Sequence, residues 1–365
     1  MSLCILNDCH AGVRRVGGTT MASATALKAY IIGSLSQALL TQNTNRLLIA
    51  GDLFDNFTVE TRDVADVINL LVDSWLNKGK HVALAAGNHD DSAKGNKMSH
   101  FDLLCTALVA AYPGQVRVIG VGGYKLGDGW AQVADNVIAI AHHCDQQAFL
   151  NTLRGLVHLY TPGMWIVVHC NFDNSFAAKA DHSLNIDREM AGWITERGAK
   201  LLFAHEHQAR VMMDGRVTIM GNQWPTSIAD CLGNEFKYGH TINADGTLDR
   251  FETWSVHSKQ GFAMVDWRDL SDGLYSFEGF IRVDGEASAQ EASTVMTAIS
   301  RFRMKSKAFI VSNHVTVDGI AAADEDAEEI VMDNEVFDLM KFVEDNTTPE
   351  QFVLFKRLKE HSDAA

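Results

Sequence analysis

The stretch LLFAHEHQARVMMDG, residues 201–215, places two histidines directly after a short apolar run. His205 and His207 are two residues apart, and residues two apart on a strand point to the same face of a sheet. If the run is a strand, both imidazoles leave its end on one side, as ligands of a metal ion would. Ordinary surface histidines are the alternative, and the rest of the chain has to decide between the two interpretations.

Short apolar runs that end in Asp, His, Gly or Asn recur through the first two thirds of the chain. They are rich in Leu, Ile and Val without polar alternation, which is typical of strands buried on both faces. Amphipathic helices are predicted between them at 21–40 and 60–77, and weaker ones at 98–111, 146–158 and 187–197. This alternation predicts an α/β layered domain with its site at the carboxyl ends of the strands. The runs are LCILND (3–8), RLLIAGD (46–52), HVALAAGNHD (81–90), NVIAIAHH (136–143), MWIVVHC (164–170) and KLLFAHEH (200–207).

The pattern changes after about residue 215. Strands are predicted within 216–227 and 237–256, the latter folded at Asp245-Gly246, a dipeptide that favours hairpin turns. From about residue 262 a smaller unit follows, with strands at GFIRVDG and AFIVSNHVTVDG and a helix near 288–302. Helical segments, the last opening at Thr348-Pro349, end the chain.

Composition narrows the possible functions. The chain has 365 residues, of which 47% are hydrophobic and 21% charged, and this is ordinary for a globular protein of more than one domain. A net charge of −15 argues against a nucleic-acid binder that works by bulk positive charge, but not against an enzyme whose bound metals supply that charge. The chain has no apolar run of about 18 residues and no signal-peptide pattern, so we expect no membrane span. Six cysteines without a CxxC pair indicate free thiols in a reducing, cytoplasmic setting.

Seven oxygen or nitrogen donors lie at the ends of five predicted strands. A single donor is weak evidence for a metal site. Buried carboxylates and imidazoles, however, cost several kcal/mol without a partner, and a pair of divalent cations would compensate all seven. Mixed His, Asp and Asn donors without thiolate suit Mn²⁺, Fe²⁺ or Zn²⁺. The donors are Asp8, His10, Asp52, Asn88, His169, His205 and His207.

Two residues of this constellation have particular roles in the prediction. Asp52 is central in order, and its two oxygens can each face one ion of a pair. Such a pair lowers the pKa of a bridging water and clamps a phosphoryl group during in-line attack. His89, next to Asn88, is left free to contact the substrate, where it could stabilise transition-state charge or protonate the leaving oxygen.

In order, Asp-x-His, Gly-Asp-x-x-Asp, Gly-Asn-His-Asp, a lone His and His-x-His resemble the motif set of the calcineurin-like metallophosphoesterases. The stretches DCHAGVRR, GDLFD, GNHDD and MGNQWPTS are similar to the Mre11/SbcD nuclease branch, including its phage members. The resemblance covers roughly residues 3–210. It implies a four-layer αββα sandwich that hydrolyses phosphodiester bonds of DNA with two divalent metals, usually manganese, with Fe²⁺, Zn²⁺ or Mg²⁺ as alternatives.

The resemblance also assigns residues and parts. It implies one metal on Asp8, His10, Asp52 and His207, and the other on Asp52, Asn88, His169 and His205, with His89 as the catalytic histidine. It implies a metallophosphoesterase catalytic domain over 1–258, a small α+β cap domain over 259–340 and a helical tail over 341–365. That tail would dock on an SMC-like (Rad50/SbcC-type) ATPase. A homodimer and a bacterial or phage-infected cytoplasm are expected on the same basis.

Other polar residues have an ordinary interpretation beside the functional one. Asp55 is expected to support a ligand more than to bind metal, and Asp90 to orient His89 or cap a helix. Arg14 and Arg15 follow the first motif and could hold a DNA phosphate or lie in a solvated loop. His142 and His143 are expected in a structural role, with a substrate-side role open. Trp224 and Tyr238 could stack on bases, but core packing is favoured, and Cys9 and Cys170 are expected to be packing residues.

Three functions compete at this point. The first is a metal-dependent DNA exo- or endonuclease, favoured by the hundred or so extra C-terminal residues that could position duplex ends. The second is a phosphodiesterase or phosphatase on small nucleotides or phosphoproteins, which the negative charge favours. The third is a non-catalytic binding scaffold of the same fold, and the complete set of ligand positions argues against it.

Overall fold

The computed structural model describes residues 1–13, 20–91, 97–120, 129–180, 183–231, 235–258, 261–270, 274 and 276–317. The predicted helical tail and Arg14 and Arg15 lie outside these residues, as do the predicted helices near the C-terminus. The described strands are β1 (Leu3–Leu6), β2 (Arg46–Ala50), β3 (His81–Ala85), β4 (Val116–Ile119), β5 (Trp130–Ala134), β6 (Val137–Ile140), β7 (Trp165–His169), β8 (Asn171–Phe172), β9 (Asn185–Ile186), β10 (Lys200–Ala204), β11 (Arg210–Met212), β12 (Val217–Ile219), β13 (Phe236–Ile242), β14 (Leu248–Ser255), β15 (Gly261–Asp266), β16 (Gly279–Ala287) and β17 (Phe309–Val317).

The helices between these strands agree with the amphipathic stretches of the sequence. Each of the five predicted helices in the first 200 residues is present, with ends that differ from the prediction by a few residues. The described α-helices are α1 (Met21–Thr41), α2 (Thr61–Ser74), α3 (His100–Ala111), α4 (Gln146–Gly155), α5 (Ser175–Ala180), α6 (Arg188–Thr195) and α7 (Ala292–Lys305).

Two six-stranded sheets form the centre of the molecule. The first has the order β14-β13-β1-β2-β3-β4, and the second has the order β11-β12-β10-β7-β6-β5. β1 to β4 run parallel to one another, as do β6, β7, β10 and β12. Antiparallel strands complete the edges, and β13 and β14 form the hairpin predicted at Asp245-Gly246. The parallel centre explains the unbroken apolar runs, because such strands are covered on both faces.

The packing gives four layers. The second sheet contributes alternate residues to two hydrophobic cores: Val167 and Leu202 pack into the core shared with the first sheet and α1, α2 and α3. Their neighbours Ile166 and Leu201 pack on the other side, against α4 and α6. The layers are therefore helices, first sheet, second sheet and helices, which confirms the predicted αββα sandwich.

A small parallel sheet follows the sandwich. Its order is β15-β16-β17, and α7 covers one face through Val295, Ile299 and Phe302. The other face lies on α1, where the Tyr30 ring is 5.6 Å from Phe262 and 5.4 Å from Phe280 between centroids. β16, α7 and β17 match the predicted elements, whereas β15 was not predicted. The use of this module as a cap stays a prediction.

Among the described residues, no helix has both the length and the apolar character that crossing a bilayer would require.

Candidate metal centre

The predicted donors come together because their strands end at the same edge of the sandwich. The loops that follow β1, β2 and β3 in the first sheet meet those that follow β7 and β10 in the second. Two groups of side chains with closely spaced donor atoms result, and within each group the atoms lie within 4.8 Å of one another. The groups are Asp8 with His10 and His207, and Asp52 with His169 and His205.

The backbone at these residues is unusual. Asp8, His10, Asp52 and His205 have φ values of 47°, 50°, 49° and 83°, in a region that side chains with a Cβ rarely adopt. Such conformations cost of order 1–3 kcal/mol each and persist where the surrounding structure requires them, often at functional sites. Four of the predicted donors are thus held in conformations that local preference alone disfavours.

Two glycines allow the loops to approach these side chains. A Cβ at Gly51 would lie 2.8 Å from Cε1 of His169, and one at Gly87 would lie 2.8 Å from Cγ of Asp52, both far inside contact distance. Gly51 also has a φ of 96°, which glycine adopts without strain. The Gly-Asp and Gly-Asn-His motifs therefore have a steric reason for their glycines.

The first group is built around His10 and His207. Their Nε2 atoms lie 3.2 Å apart. His207 Nδ1–H donates to Asp230 Oδ1 over 2.7 Å, and His10 Nδ1 lies 3.2 Å from Asp55 Oδ1. Asp8 adds a carboxylate whose Oδ2 accepts from the His205 amide over 3.1 Å, while its buried Oδ1 has no hydrogen-bond partner among the described residues.

The second group is built around His169. Its Nδ1–H donates to the Ala50 carbonyl over 3.1 Å, which leaves Nε2 facing Asn88 Oδ1 at 3.0 Å and Asp52 Oδ2 at 3.2 Å. Burial would lower the pKa of His169, but the Asp52 carboxylate and, more weakly, Asp8 raise it to about 9. Burial would likewise raise the pKa of Asp52, yet the His169 and His89 rings lower it well below its usual range.

The donor atoms fit a divalent cation in each group. When the ring protons are on Nδ1, the Nε2 lone pairs of His10 and His207 face each other, and that of His169 faces two oxygens. Acceptors that converge in a largely buried place need a positive charge between them, either a proton, as the raised pKa of His169 indicates, or a metal ion in its place. Two nitrogens that share an ion at about 2.1 Å lie roughly 3.0–3.4 Å apart, so the 3.2 Å separation suits a shared ion.

His89 lies between the two groups without belonging to either. Its amide donates to Asp52 Oδ1 over 3.1 Å, and its Nδ1–H donates to the Asp55 carbonyl over 2.7 Å. Its ring centroid is 5.4 Å from that of His10. Burial would lower the pKa of His89, but the carboxylates of Asp52 and Asp55 raise it above its ordinary value. The ring is therefore fixed by its Nδ1 contact.

The structure corrects two interpretations of the sequence. β10 ends at Ala204 and His205 has a positive φ, so the alternation of a strand does not apply to His205 and His207. The two imidazoles diverge, one into each group, rather than gripping one ion together. Among the described residues, Asp90 contacts neither His89 nor the start of a helix: it accepts from the amides of Leu53, Phe54 and Gly87, which ties the loops after β2 and β3 together.

Three supporting residues were missed from the sequence. Asp230 holds His207, as described above. Glu206 lies between the two histidines, accepts from the Phe172 amide over 2.7 Å and pairs with Arg210. Asn7 donates to Asp8 Oδ2 and, over 2.9 Å, to the Gly221 carbonyl. Asn7 directly precedes Asp8 and could have been noticed; the other two had no periodicity or spacing to mark them.

Several residues have the structural roles expected of them. Trp224 is fully buried and donates to the Cys9 carbonyl over 3.3 Å, and the side chains of Cys9 and Cys170 are buried in the two cores. His143 Nδ1 lies 3.0 Å from the Ala141 carbonyl and its Nε2 lies 3.2 Å from the Thr152 hydroxyl. His142 is buried beside the second donor group, where burial and, more weakly, the His169 ring lower its pKa to about 3, and its structural or substrate-side role stays a prediction.

The family model for calcineurin-like phosphoesterases matches residues 1–209, more than half of the chain. The chain belongs to that family. It is therefore a phosphoesterase, a hydrolase, and the typical pair of divalent metals of this family agrees with the two donor groups. The match ends two residues after His207, so it spans the strands that supply every donor named here. No match was found among the curated proteins.

Proposed function

We propose that this phosphoesterase is a DNA nuclease of the Mre11/SbcD type that cleaves phosphodiester bonds with two bound divalent metals. The observation that carries the metal-dependent hydrolysis is the pair of largely buried donor groups with His89 beside them. The DNA substrate is supported by the finer sequence resemblance in GDLFD, GNHDD and MGNQWPTS.

The ligands divide naturally between the two ions. Asp8, His10 and His207 would hold one, and Asp52, His169, His205 and Asn88 the other, with Asp52 proposed as the bridge. When bound, the two cations supply a water of lowered pKa and neutralise the charge of the phosphoryl group. We propose manganese as the metal, since mixed imidazole and carboxylate donors suit it, with Fe²⁺, Zn²⁺ or Mg²⁺ as alternatives.

His89 acts on the substrate. Because its Nδ1–H is committed to the Asp55 carbonyl, Nε2 is the atom left for the phosphoryl group. When protonated, the ring can donate from Nε2 to a phosphoryl oxygen as charge develops or give a proton to the leaving oxygen. Asp55 contacts both His10 and His89, so one residue fixes a ligand and the catalytic ring together.

The C-terminal parts would serve the DNA. The module of β15, β16, β17 and α7 is proposed as the cap that positions duplex ends, and the tail over 341–365 as the docking segment for an SMC-like ATPase. A homodimer and a reducing cytoplasm belong to the same proposal; Cys4, Cys9, Cys105 and Cys170 are buried thiols whose pKa burial raises.

The test is cleavage of linear single- and double-stranded DNA with Mn²⁺, beside a small chromogenic phosphodiester. His89→Ala should lose DNA cleavage by at least about a hundredfold while it keeps two Mn²⁺ per chain, because general acid catalysis contributes about 10²–10⁴-fold. His81→Ala at the exposed opposite end of β3 is the matched control and should retain activity.

The outcomes separate the candidate functions. Hydrolysis of the small diester with DNA left intact, with and without candidate ATPases, would replace the nuclease by a small-substrate phosphodiesterase, as the net charge of −15 favours. Two bound Mn²⁺ with no hydrolysis of any phosphoester would indicate a binding scaffold.

A further inference from the structure

Asp230 contacts His207, a member of the first donor group, from outside that group. It lies in the single-turn helix Ala229–Cys231, 23 residues beyond His207, and its side chain is 5% exposed. Its Oδ1 accepts from His207 Nδ1–H over 2.7 Å. The family match ends at residue 209, so Asp230 lies outside the segment that carries the family motifs.

The other oxygen of Asp230 is fixed by three donors. Oδ2 accepts from the Thr226 amide over 2.8 Å, the Thr226 hydroxyl over 3.0 Å and the Ser227 amide over 2.9 Å. Because two of these donors belong to the backbone, they cannot turn away. The carboxylate therefore has one orientation, and Oδ1 must point at His207.

This contact decides which nitrogen of His207 carries the proton. An aspartate oxygen can only accept, so a neutral His207 ring keeps its proton on Nδ1 and leaves the lone pair on Nε2. Nε2 is the atom 3.2 Å from His10 Nε2, inside the first donor group. The side chain of Lys237 holds the backbone of His207 as well. Its Nζ donates to the His207 carbonyl over 3.1 Å and to Asn222 Oδ1 over 2.6 Å.

We infer that Asp230 is a positioning residue that locks His207 in the Nδ1–H tautomer and thereby makes Nε2 available to a divalent cation. The inference rests on the proposed two-metal hydrolysis for its purpose, but not on DNA as the substrate. Carboxylates that hold a metal-binding histidine in this way typically change the metal affinity by about 10–100-fold when they are removed.

The geometry gives Asp230→Asn a specific consequence. The three donors at Oδ2 require an oxygen there, so the asparagine must turn its NH₂ group toward His207 Nδ1. An amide N–H in that place donates to Nδ1, and the ring proton moves to Nε2. The variant keeps size and hydrogen bonds but presents the wrong nitrogen to the cation.

The experiment measures the tautomer and the metal separately. Nitrogen-detected NMR of metal-free protein, at a pH where the ring is neutral, should show His207 protonated on Nδ1 in the wild type and on Nε2 in Asp230→Asn. Calorimetric titration with Mn²⁺ should show one of two sites weakened about 10–100-fold and the other unchanged. Asp102→Asn is the matched control: Asp102 is 4% exposed and accepts from the Ser99 amide and hydroxyl, with no imidazole among its contacts in the described part of the chain. It should change neither reading.

An Nε2–H ring in the wild type, or a tautomer unchanged by Asp230→Asn, would overturn the inference. So would unaltered Mn²⁺ affinity at both sites of a folded Asp230→Asn protein. If the tautomer switches and one Mn²⁺ site weakens while DNA is never cleaved, Asp230 keeps its role and only the DNA substrate fails. A wild type that binds no Mn²⁺ would overturn the inference as well, because Nε2 of His207 would then serve no divalent cation.

Discussion

Replacing Gly87 by alanine tests the site at Asp52, the residue that both metals are expected to share. The new Cβ would lie 2.8 Å from Cγ of Asp52 and would overlap its Oδ1 and amide nitrogen still more closely. Carbon atoms in contact prefer about 3.5–4.0 Å, so the carboxylate or the loop must move by at least about 0.7 Å. Asp52 is 1% exposed, and its oxygens already contact the His89 amide and His169 Nε2, which leaves little room for that movement.

The expected cost has two parts. Overpacking a buried site destabilises by about 1–3 kcal/mol, which a urea titration would show as a lower midpoint. A displacement approaching 1 Å in the site can cost about a hundredfold in rate, so hydrolysis of a chromogenic diester should fall by that order and Mn²⁺ affinity should fall with it.

Gly33→Ala provides the control for this prediction. Gly33 is inside α1, and a Cβ there meets nothing within 4 Å. Alanine should stabilise the helix by about 0.5–1 kcal/mol and leave hydrolysis and Mn²⁺ binding unchanged. A Gly87→Ala protein that binds two Mn²⁺ and hydrolyses the diester like the wild type would refute the packing described for Asp52.

Three further predictions concern the rest of the molecule. His240 is 6% exposed, and burial, together with the nearby Arg250, lowers its pKa from 6.5 to about 4. As the pH drops, the unfolded chain therefore binds a proton at this histidine before the folded chain does, and the free energy of unfolding falls between about pH 6.5 and 4. Thermal melts should show a loss of up to about 3 kcal/mol over that window that His240→Gln lacks; equal pH slopes would contradict it. Phe302→Ala should cost about 3–5 kcal/mol in the module around α7 without changing Mn²⁺ stoichiometry, and loss of both ions would show that the module builds the site. Ser99→Ala removes the capping box of α3 and should lower the free energy of unfolding by about 1 kcal/mol in urea, with an unchanged midpoint as the contrary result.

The sandwich could be predicted from the sequence because short apolar runs that end in polar residues recur along it, and each run can be recognised locally. Short unbroken runs such as RLLIA and WIVVH, which end in polar residues, favour strands covered on both faces, and parallel strands bring their carboxyl ends to one edge. The donors after those strands were therefore expected in one place, and the structure brings them together. β15 was not predicted because it is half exposed and carries no clear apolar pattern.

The arrangement inside the site was harder to predict. Strand spacing did not predict the division of His205 and His207 between two groups, because it depends on a φ of 83° at His205; only the family resemblance implied that division. Asp230 lies 23 residues after His207 and is brought to it by the intervening chain. Asp90 joins two loops by accepting hydrogen bonds from three backbone amides. Such contacts arise from tertiary packing, so neither spacing nor periodicity records them.

The central claim is that two divalent cations bind in the two donor groups. Anomalous diffraction from crystals soaked in Mn²⁺ tests it most directly. We predict two peaks, one within contact of Asp8, His10 and His207 and the other within contact of Asp52, His169 and His205. A single peak, or peaks away from these side chains, would contradict the account.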